Sequence, residues 1–323
     1  MRDLMPGQQR WVAALAETPL KAVDVLDTEA PPESQWKEAW KRLRRNPLFW
    51  MSSVLLALLA VVLAVPGLFT DADPTFCQLS DSLANGRAGH PFGFDKQGCD
   101  VWSRTLYGAR ASVLVGVLTT LLVATIGIVT GAIAGFYGTF PDSIVSRLGD
   151  IFFAIPLLLA AIVTLSIFNN LNPDRGFWGG CLAIVFTLAL FAWPQITRQM
   201  RASVLQVKNL EFVDAAKAIG ASPRVNLLRH VVPNSLAPVI VTSMISLGVF
   251  ITTEATLSFL GLGLPSSVVS WGNDISAAQN LVRSGQDLSV MFVPASALAI
   301  TVLAFILLGD AVRDALDPKA GKS

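Results

Sequence analysis

The sequence predicts an all-α membrane protein with six transmembrane helices and both termini in the cytoplasm. Three observations carry that expectation. Apolar residues make up 53% of the 323 residues and charged residues only 15%, against roughly 25% charged in an ordinary soluble chain. Six stretches contain no Asp, Glu, Lys or Arg: 48–70, 111–141, 151–172, 176–197, 230–253 and 288–309. Each meets or approaches the about 20 residues a helix needs to cross ~30 Å of hydrocarbon. Finally, with the N-terminus inside, 18 of the 24 Lys and Arg fall on cytoplasmic segments and 6 outside, as the positive-inside rule requires.

The rest of the composition narrows the function classes. A formal charge of +1 gives no basic excess for nucleic acid. Two histidines and three cysteines are too few and too scattered for a multi-ligand metal site or a disulfide-rich scaffold. The expected surroundings are membrane lipid.

The elements follow in order. A polar cytoplasmic tail (1–47) holds Pro31-Pro32, and its first thirty residues read as mostly unstructured. Within it, Trp36, Trp40 and Leu43 recur at helical spacing opposite a basic face over 34–45, which suits a short helix in the headgroup region; a solvated basic linker is the other reading. The first span (48–70) has 47 residues ahead of it, so it is not a signal peptide. An extracytoplasmic loop (71–110) precedes a five-span core (111–312), and a short cytoplasmic tail (313–323) closes the chain. The second stretch exceeds one span and is expected to end in a loop near 136–141. The fifth extends past Glu254 toward Leu264. Pro156 and Pro194 are expected to kink their spans, which membrane helices tolerate.

The most informative segment is the cytoplasmic loop 198–234. Asn209 is placed to cap a helix carrying Glu211, Phe212, Val213, Asp214, Ala215, Ala216, Lys217, Ala218 and Ile219. Phe212, Ala215, Ala216 and Ile219 share one face, with Glu211, Asp214 and Lys217 off it. Gly220 stops the helix by taking the left-handed conformation. Ser222-Pro223 starts a second helix as cap and first position, which ends at Pro233. The pair either docks another protein or packs on its own bundle.

Asp214-Ala215-Ala216, Gly220 and Pro233 resemble the EAA loop of the membrane subunits of bacterial ABC importers. Asp214 replaces the family's Glu, while His230 and Val232 replace its Ile and Leu. Gly93-Phe94-Asp95-Lys96-Gln97-Gly98-Cys99-Asp100-Val101-Trp102-Ser103-Arg104 and Tyr107-Gly108-Ala109-Arg110-Ala111-Ser112 are similar to the "GTDxxGRDxxSR…YGAR.S" signature of dipeptide and oligopeptide permeases, with Phe94 and Cys99 departing from it. The run from Glu254-Ala255-Thr256-Leu257-Ser258-Phe259-Leu260-Gly261-Leu262-Gly263 to Ser270-Trp271-Gly272 is similar to that subfamily's "EAxLSFLGLG…SWG".

The resemblance implies a type I ABC importer permease bundle in a bacterial plasma membrane, of the "C" type that pairs with a second, "B"-type permease. It implies that the chain is not an enzyme and binds no cofactor. ATP and Mg²⁺ would sit on one or two partner ATPase subunits, and an extracytoplasmic substrate-binding protein would deliver peptides. Gly321-Lys322-Ser323 lacks the earlier glycine and following helix of a phosphate loop. The implied coupling residues are Glu211, Phe212, Asp214, Ala215, Ala216, Lys217, Ile219, Gly220, Arg224 and Pro233. Nickel, glutathione and antimicrobial-peptide permeases share these motifs. An ion-coupled carrier would show ionisable groups across several spans, whereas Glu254 stands alone.

Three further expectations concern packing. Glu254, with Ser243 and Ser246, either lines the translocation path or gate, or makes a structural hydrogen bond. Gly127, Gly131 and Gly135 form a small-residue face for close helix approach, within the chain or between subunits. Cys77 and Cys99 share an oxidising outside loop and are candidates for a disulfide. Cys181, His90 and His230 read as structural.

Overall fold

The computed structural model describes residues 35–172, 175–283 and 288–316, and these fold into helices joined by short connections. The expectations for the first thirty residues and for Gly321-Lys322-Ser323 fall outside the described residues. Helix α1 (Gln35–Leu43) leads into α2 (Pro47–Ala64), then α3 (Val101–Tyr137), α4 (Thr139–Phe153), α5 (Leu157–Leu171) and α6 (Phe177–Val207). The short α7 (Glu211–Ala218) and α8 (Pro223–Asn226) precede α9 (Val232–Phe259), α10 (Trp271–Arg283) and α11 (Ser289–Leu316). Among the described residues, five helices are long and apolar enough to cross a membrane, or six counting α4 with α5 as one bent span.

The pair α3 and α6 forms the spine. Gly127, Gly131 and Gly135 face α6 of the same chain, which decides between the two packing partners the sequence left open. A Cβ on Gly127 would lie 2.5 Å from Ile196 Cγ2, and one on Gly131 would lie 2.5 Å from the Thr197 carbonyl. Any side chain there would push the backbones apart. The Thr130 and Thr197 hydroxyls share a hydrogen bond across the seam at 2.8 Å. At its end, Lys208 Nζ donates to the Gly135 carbonyl at 2.7 Å. Leu165, Ile184, Leu188, Ile196, Met200 and Val204 are fully buried around this spine, and α9 packs against it with α11 beyond. Outermost is α2, where only Ser52 is buried; Arg110 caps its last turn by donating to the Leu63 carbonyl at 2.8 Å. Helix α1 packs on α11, with Ala39 buried and Trp40 half-exposed beside Phe49.

Several boundaries differ from expectation, each for a local reason. The loop expected over 71–110 ends at residue 100, because the Asp100 carboxylate accepts from Ser103 N at 2.8 Å and starts α3 ten residues early. Helix α6 runs on to Val207, so 198–207 is helix, not loop. Its charges are met sideways: Arg201 forks onto Asp142 with one arm at 2.7 Å, and Arg198 reaches Asp150 at 2.8 Å. At the chain's other end, α11 reaches Leu316, past the expected boundary at 312. Pro156 does more than kink its span: α4 and α5 meet at 81° around it. Pro194 lies inside a continuous α6.

At the bundle end away from α7 and α8, residues 71–100 fold into a cap. A disulfide joins Cys77 to Cys99, and Asp95 Oδ1 accepts from Gln97 N at 2.8 Å and Cys99 N at 2.9 Å. Arg104, on α3, pairs with Asp274 of α10 at 2.9 Å through Nε. Trp271 Nε1 donates to the Thr105 carbonyl at 2.8 Å. Burial pushes the Asp274 carboxyl from 3.8 up to about 6, with Arg104 pulling it back and Asp95 pushing it further.

Gly131→Leu should lower the thermal stability of the purified protein by about 1–3 kcal/mol, the range for overpacking a tight contact, whereas Gly67→Ala, with open space around it, should leave it unchanged. Because the folded state of Asp274 holds its proton more tightly than the unfolded chain, its stabilising contribution is full below about pH 4 and lost as pH rises through about 6. Thermal unfolding at successive pH values should show this decline, and Asp274→Asn should flatten it.

Candidate functional site

Beyond Val207 the chain leaves α6 and builds a helical elbow from α7 and α8. The sequence places Asn209 as the cap of α7, but its Nδ2 donates backward to the Leu205 carbonyl at 3.1 Å, closing α6 instead. Leu210 takes the cap position without any side-chain hydrogen bond. Helix α7 is held by what it buries: Val213 is fully enclosed and Ala216 nearly so. Its stop is as expected. Gly220 sits at φ +90°, and Ala221 N donates to the Ala216 carbonyl at 3.0 Å. Ser222 then caps α8, accepting from Val225 N at 3.4 Å, with Pro223 at the first turn.

The second helix does not end at Pro233. Residues Leu227–Val231 form a π-helical turn that passes directly into α9. Pro233 follows that turn directly at the start of α9, and having no N–H it makes no backbone bond back to the turn before it. The elbow is therefore continuous with a span. Asn226, fully buried, ties its two arms together, with Nδ2 donating to the Val213 carbonyl at 3.3 Å. Sequence reasoning passed over Asn226, because a buried amide between apolar neighbours gives no periodic signal.

The elbow's faces divide differently from the expected stripe. Ala216 turns inward with Val213, Leu227 and Val231, while Phe212, Ala215 and Ile219 stay exposed. Ala216 lies at the edge of the stripe, one turn from Val213, so packing claims it. Outside, Ile219 is 87% exposed and Leu228 66%. Around these apolar residues lie Glu211, Asp214, Lys217 and Arg224, all exposed. Lys217 Nζ reaches Asp214 Oδ1 at 2.8 Å, a solvent-facing pair of the kind worth about 0–1 kcal/mol. The site offers an apolar knuckle ringed by both signs of charge, on a buried base.

Glu254 is in a different place and state. It is fully buried in α9; Ser258 Oγ donates to its Oε1 at 2.8 Å, and Leu264 N donates to Ser258 Oγ at 3.1 Å. This relay ties the loop after α9 to the helix. Ser246 is buried lower in α9 and Ser243 half-buried. The structure does not bring Glu254, Ser243 and Ser246 together in any described cavity. Arg104 and Trp271 belong to motifs visible in the sequence, but their partners about 170 positions away, Asp274 and the Thr105 carbonyl, are not legible there.

Comparison with known proteins places this geometry. The family profile of binding-protein-dependent transport system inner membrane components matches residues 127–322. That of the N-terminal TM domain of oligopeptide transport permease C matches residues 34–85. The oligopeptide transport system permease protein OppC of Bacillus subtilis is 34% identical over 289 residues, covering 90% of this chain and 91% of that protein. The glutathione transport system permease protein GsiD of Escherichia coli O6:K15:H31 is 35% identical over 314 residues, covering 96% and 97%. Among solved structures, the inward-facing MetNI methionine ABC transporter shares the fold, with a TM-score of 0.53 at 18% identity over 66% of this chain and 96% of that one. These matches make the chain a member of the family of binding-protein-dependent transport system inner membrane components.

Proposed function

We propose that this chain is the "C"-type permease of an ATP-driven peptide importer, crossing a bacterial plasma membrane six times with both termini in the cytoplasm. It pairs with a second permease to form the translocation path. Peptides arrive from an extracytoplasmic binding protein, and ATP with Mg²⁺ is handled by one or two ATPase subunits rather than by this chain. The observation that carries the reading is the elbow: an exposed apolar knuckle on a braced pair of helices that runs without a break into a span. Such a piece transmits a push instead of absorbing it. Phe212, Ala215 and Ile219 supply apolar contact to an ATPase groove, while Glu211, Asp214, Lys217 and Arg224 set its register. Ala216, Gly220 and Pro233 keep the shape behind that surface. Movement of the elbow then biases a bundle with two packings.

The cargo class rests on the relatives, whose names specify oligopeptide and glutathione transport. Glutathione is itself a small peptide, so both point to a path for short, flexible amide chains. Glu254 acts as an anchor for the loop at the outer end of α9, the reading its buried relay favours.

In proteoliposomes holding the full complex, Gly220→Pro should abolish ATP-dependent uptake of a labelled dipeptide, because proline cannot adopt φ +90°. Asp214→Lys should reduce uptake at least about tenfold by reversing a rim charge. Both variants should remain in the membrane. Normal uptake in both would remove the coupling role of the elbow.

A further inference from the structure

The break between α4 and α5 is hard to reconcile with lipid. Residues 153–156 are all exposed, and the backbone there leaves its hydrogen bonds unmade. Ala154 N bonds the Asp150 carbonyl, Ile155 N the Phe152 carbonyl, and the next backbone bond starts only at Ala160 N to Pro156 O. The carbonyls of Phe153, Ala154 and Ile155 and the N–H groups of Leu157, Leu158 and Leu159 have no partner among the described residues. Pro156 supplies no side-chain cap.

Depth makes this matter. Helix α5 has 15 residues and is about 22 Å long, against ~30 Å of hydrocarbon. Asn169, Asn170 and Asn172 mark its end toward the disulfide cap, and Asn169 is anchored there on the Leu262 carbonyl. Helix α5 alone is therefore roughly 8 Å too short to cross the hydrocarbon, and the break lies at its elbow-side end. Unpaired backbone at such a depth survives only against protein or water.

Two neighbours favour water. Beside the break, Asp150 and Arg198 form an ion pair whose side chains stay 66% and 47% exposed, and Arg198 also stacks on Phe153 at 4.1 Å. Next to them a crevice of about 210 Å³ opens between α4 and α6, lined by Ser146, Asp150, Thr197, Arg198 and Arg201 among others. An apolar helix of a second permease laid here would strip water from both ends of that pair. We infer that the α4–α5 break and the crevice beside it form a wall of the water-filled inner half of the translocation path, with the free carbonyls and N–H groups available to the amide backbone of passing peptide. The inference rests on the permease reading above, and it places the path on α4, α5 and α6 instead of at Glu254.

Thiol labelling tests it. Of the three native cysteines, Cys77 and Cys99 are joined and Cys181 is buried, so the wild-type complex serves as the blank. Ala154→Cys, with Ile155→Cys as the second variant, is placed in the assembled transporter in lipid nanodiscs and exposed to a charged methanethiosulfonate. Val54→Cys on the peripheral α2, 64% exposed, is the lipid-facing control. Ala154→Cys or Ile155→Cys should react at least about tenfold faster than the control. Reaction with a lipid-soluble maleimide but not with the charged reagent would put the break in lipid. Silence toward both in each variant would put it in a dry contact with the partner permease. Either result overturns the inference. Loss of ATP-driven peptide uptake by the wild-type complex would instead overturn the permease reading, and it is measured separately on the same preparation.

Discussion

The contact between α3 and α6 leaves no room for a side chain, and the rest of the molecule is arranged around that closeness. Three glycines one turn apart let the two backbones meet along the seam, where Ile196, Thr197 and Val204 fill the space a Cβ would need. In hydrocarbon there is little hydrophobic gain in bringing helices together, so van der Waals fit and occasional polar bridges hold them. Thr130 with Thr197 supplies one such bridge, and Lys208 on the Gly135 carbonyl supplies another. The second sits at the root of the elbow. The end of α6 is thus pinned before the chain turns into α7.

That pinning explains how so small a feature can keep its shape. A helix of eight residues such as α7 has little intrinsic stability. It persists here because Val213 and Ala216 are buried, Asn226 bonds its backbone, and the π turn joins the elbow directly to α9. The exposed residues on the other side are not among those that hold this shape. π turns are frequent at functional sites, and here one forms the point at which elbow and bundle join.

The opposite end is built by another logic. Its backbone is irregular, so it is held by covalent and ionic links between parts far apart in sequence: the disulfide, the Asp95 turn, the Arg104–Asp274 pair and the Trp271 indole on the Thr105 carbonyl. The two motifs that resemble peptide permeases, around Ser103-Arg104 and Ser270-Trp271-Gly272, are the two halves of one contact. Gly108 belongs to it as well, because a Cβ there would approach the Ser270 backbone at 3.2 Å.

The sequence by itself determined which segments are apolar enough to cross a membrane, where the elbow turns, and which family's motifs the chain carries. Gly220, Ser222 and Pro223 act through their own backbone chemistry, and apolar run length is a local property; both are legible one residue at a time. Only the tertiary structure decided that 198–207 stays helical, that Ala216 faces inward, that the glycine face meets α6 of the same chain, and that Pro156 opens an 81° break. These outcomes turn on partners elsewhere in the fold: Asp142 and Asp150 for the arginines of α6, Val213 and Asn226 for the elbow, and α6 itself for the glycines. A contact between distant residues leaves no periodic trace in either of them, so it becomes visible only when the helices are packed.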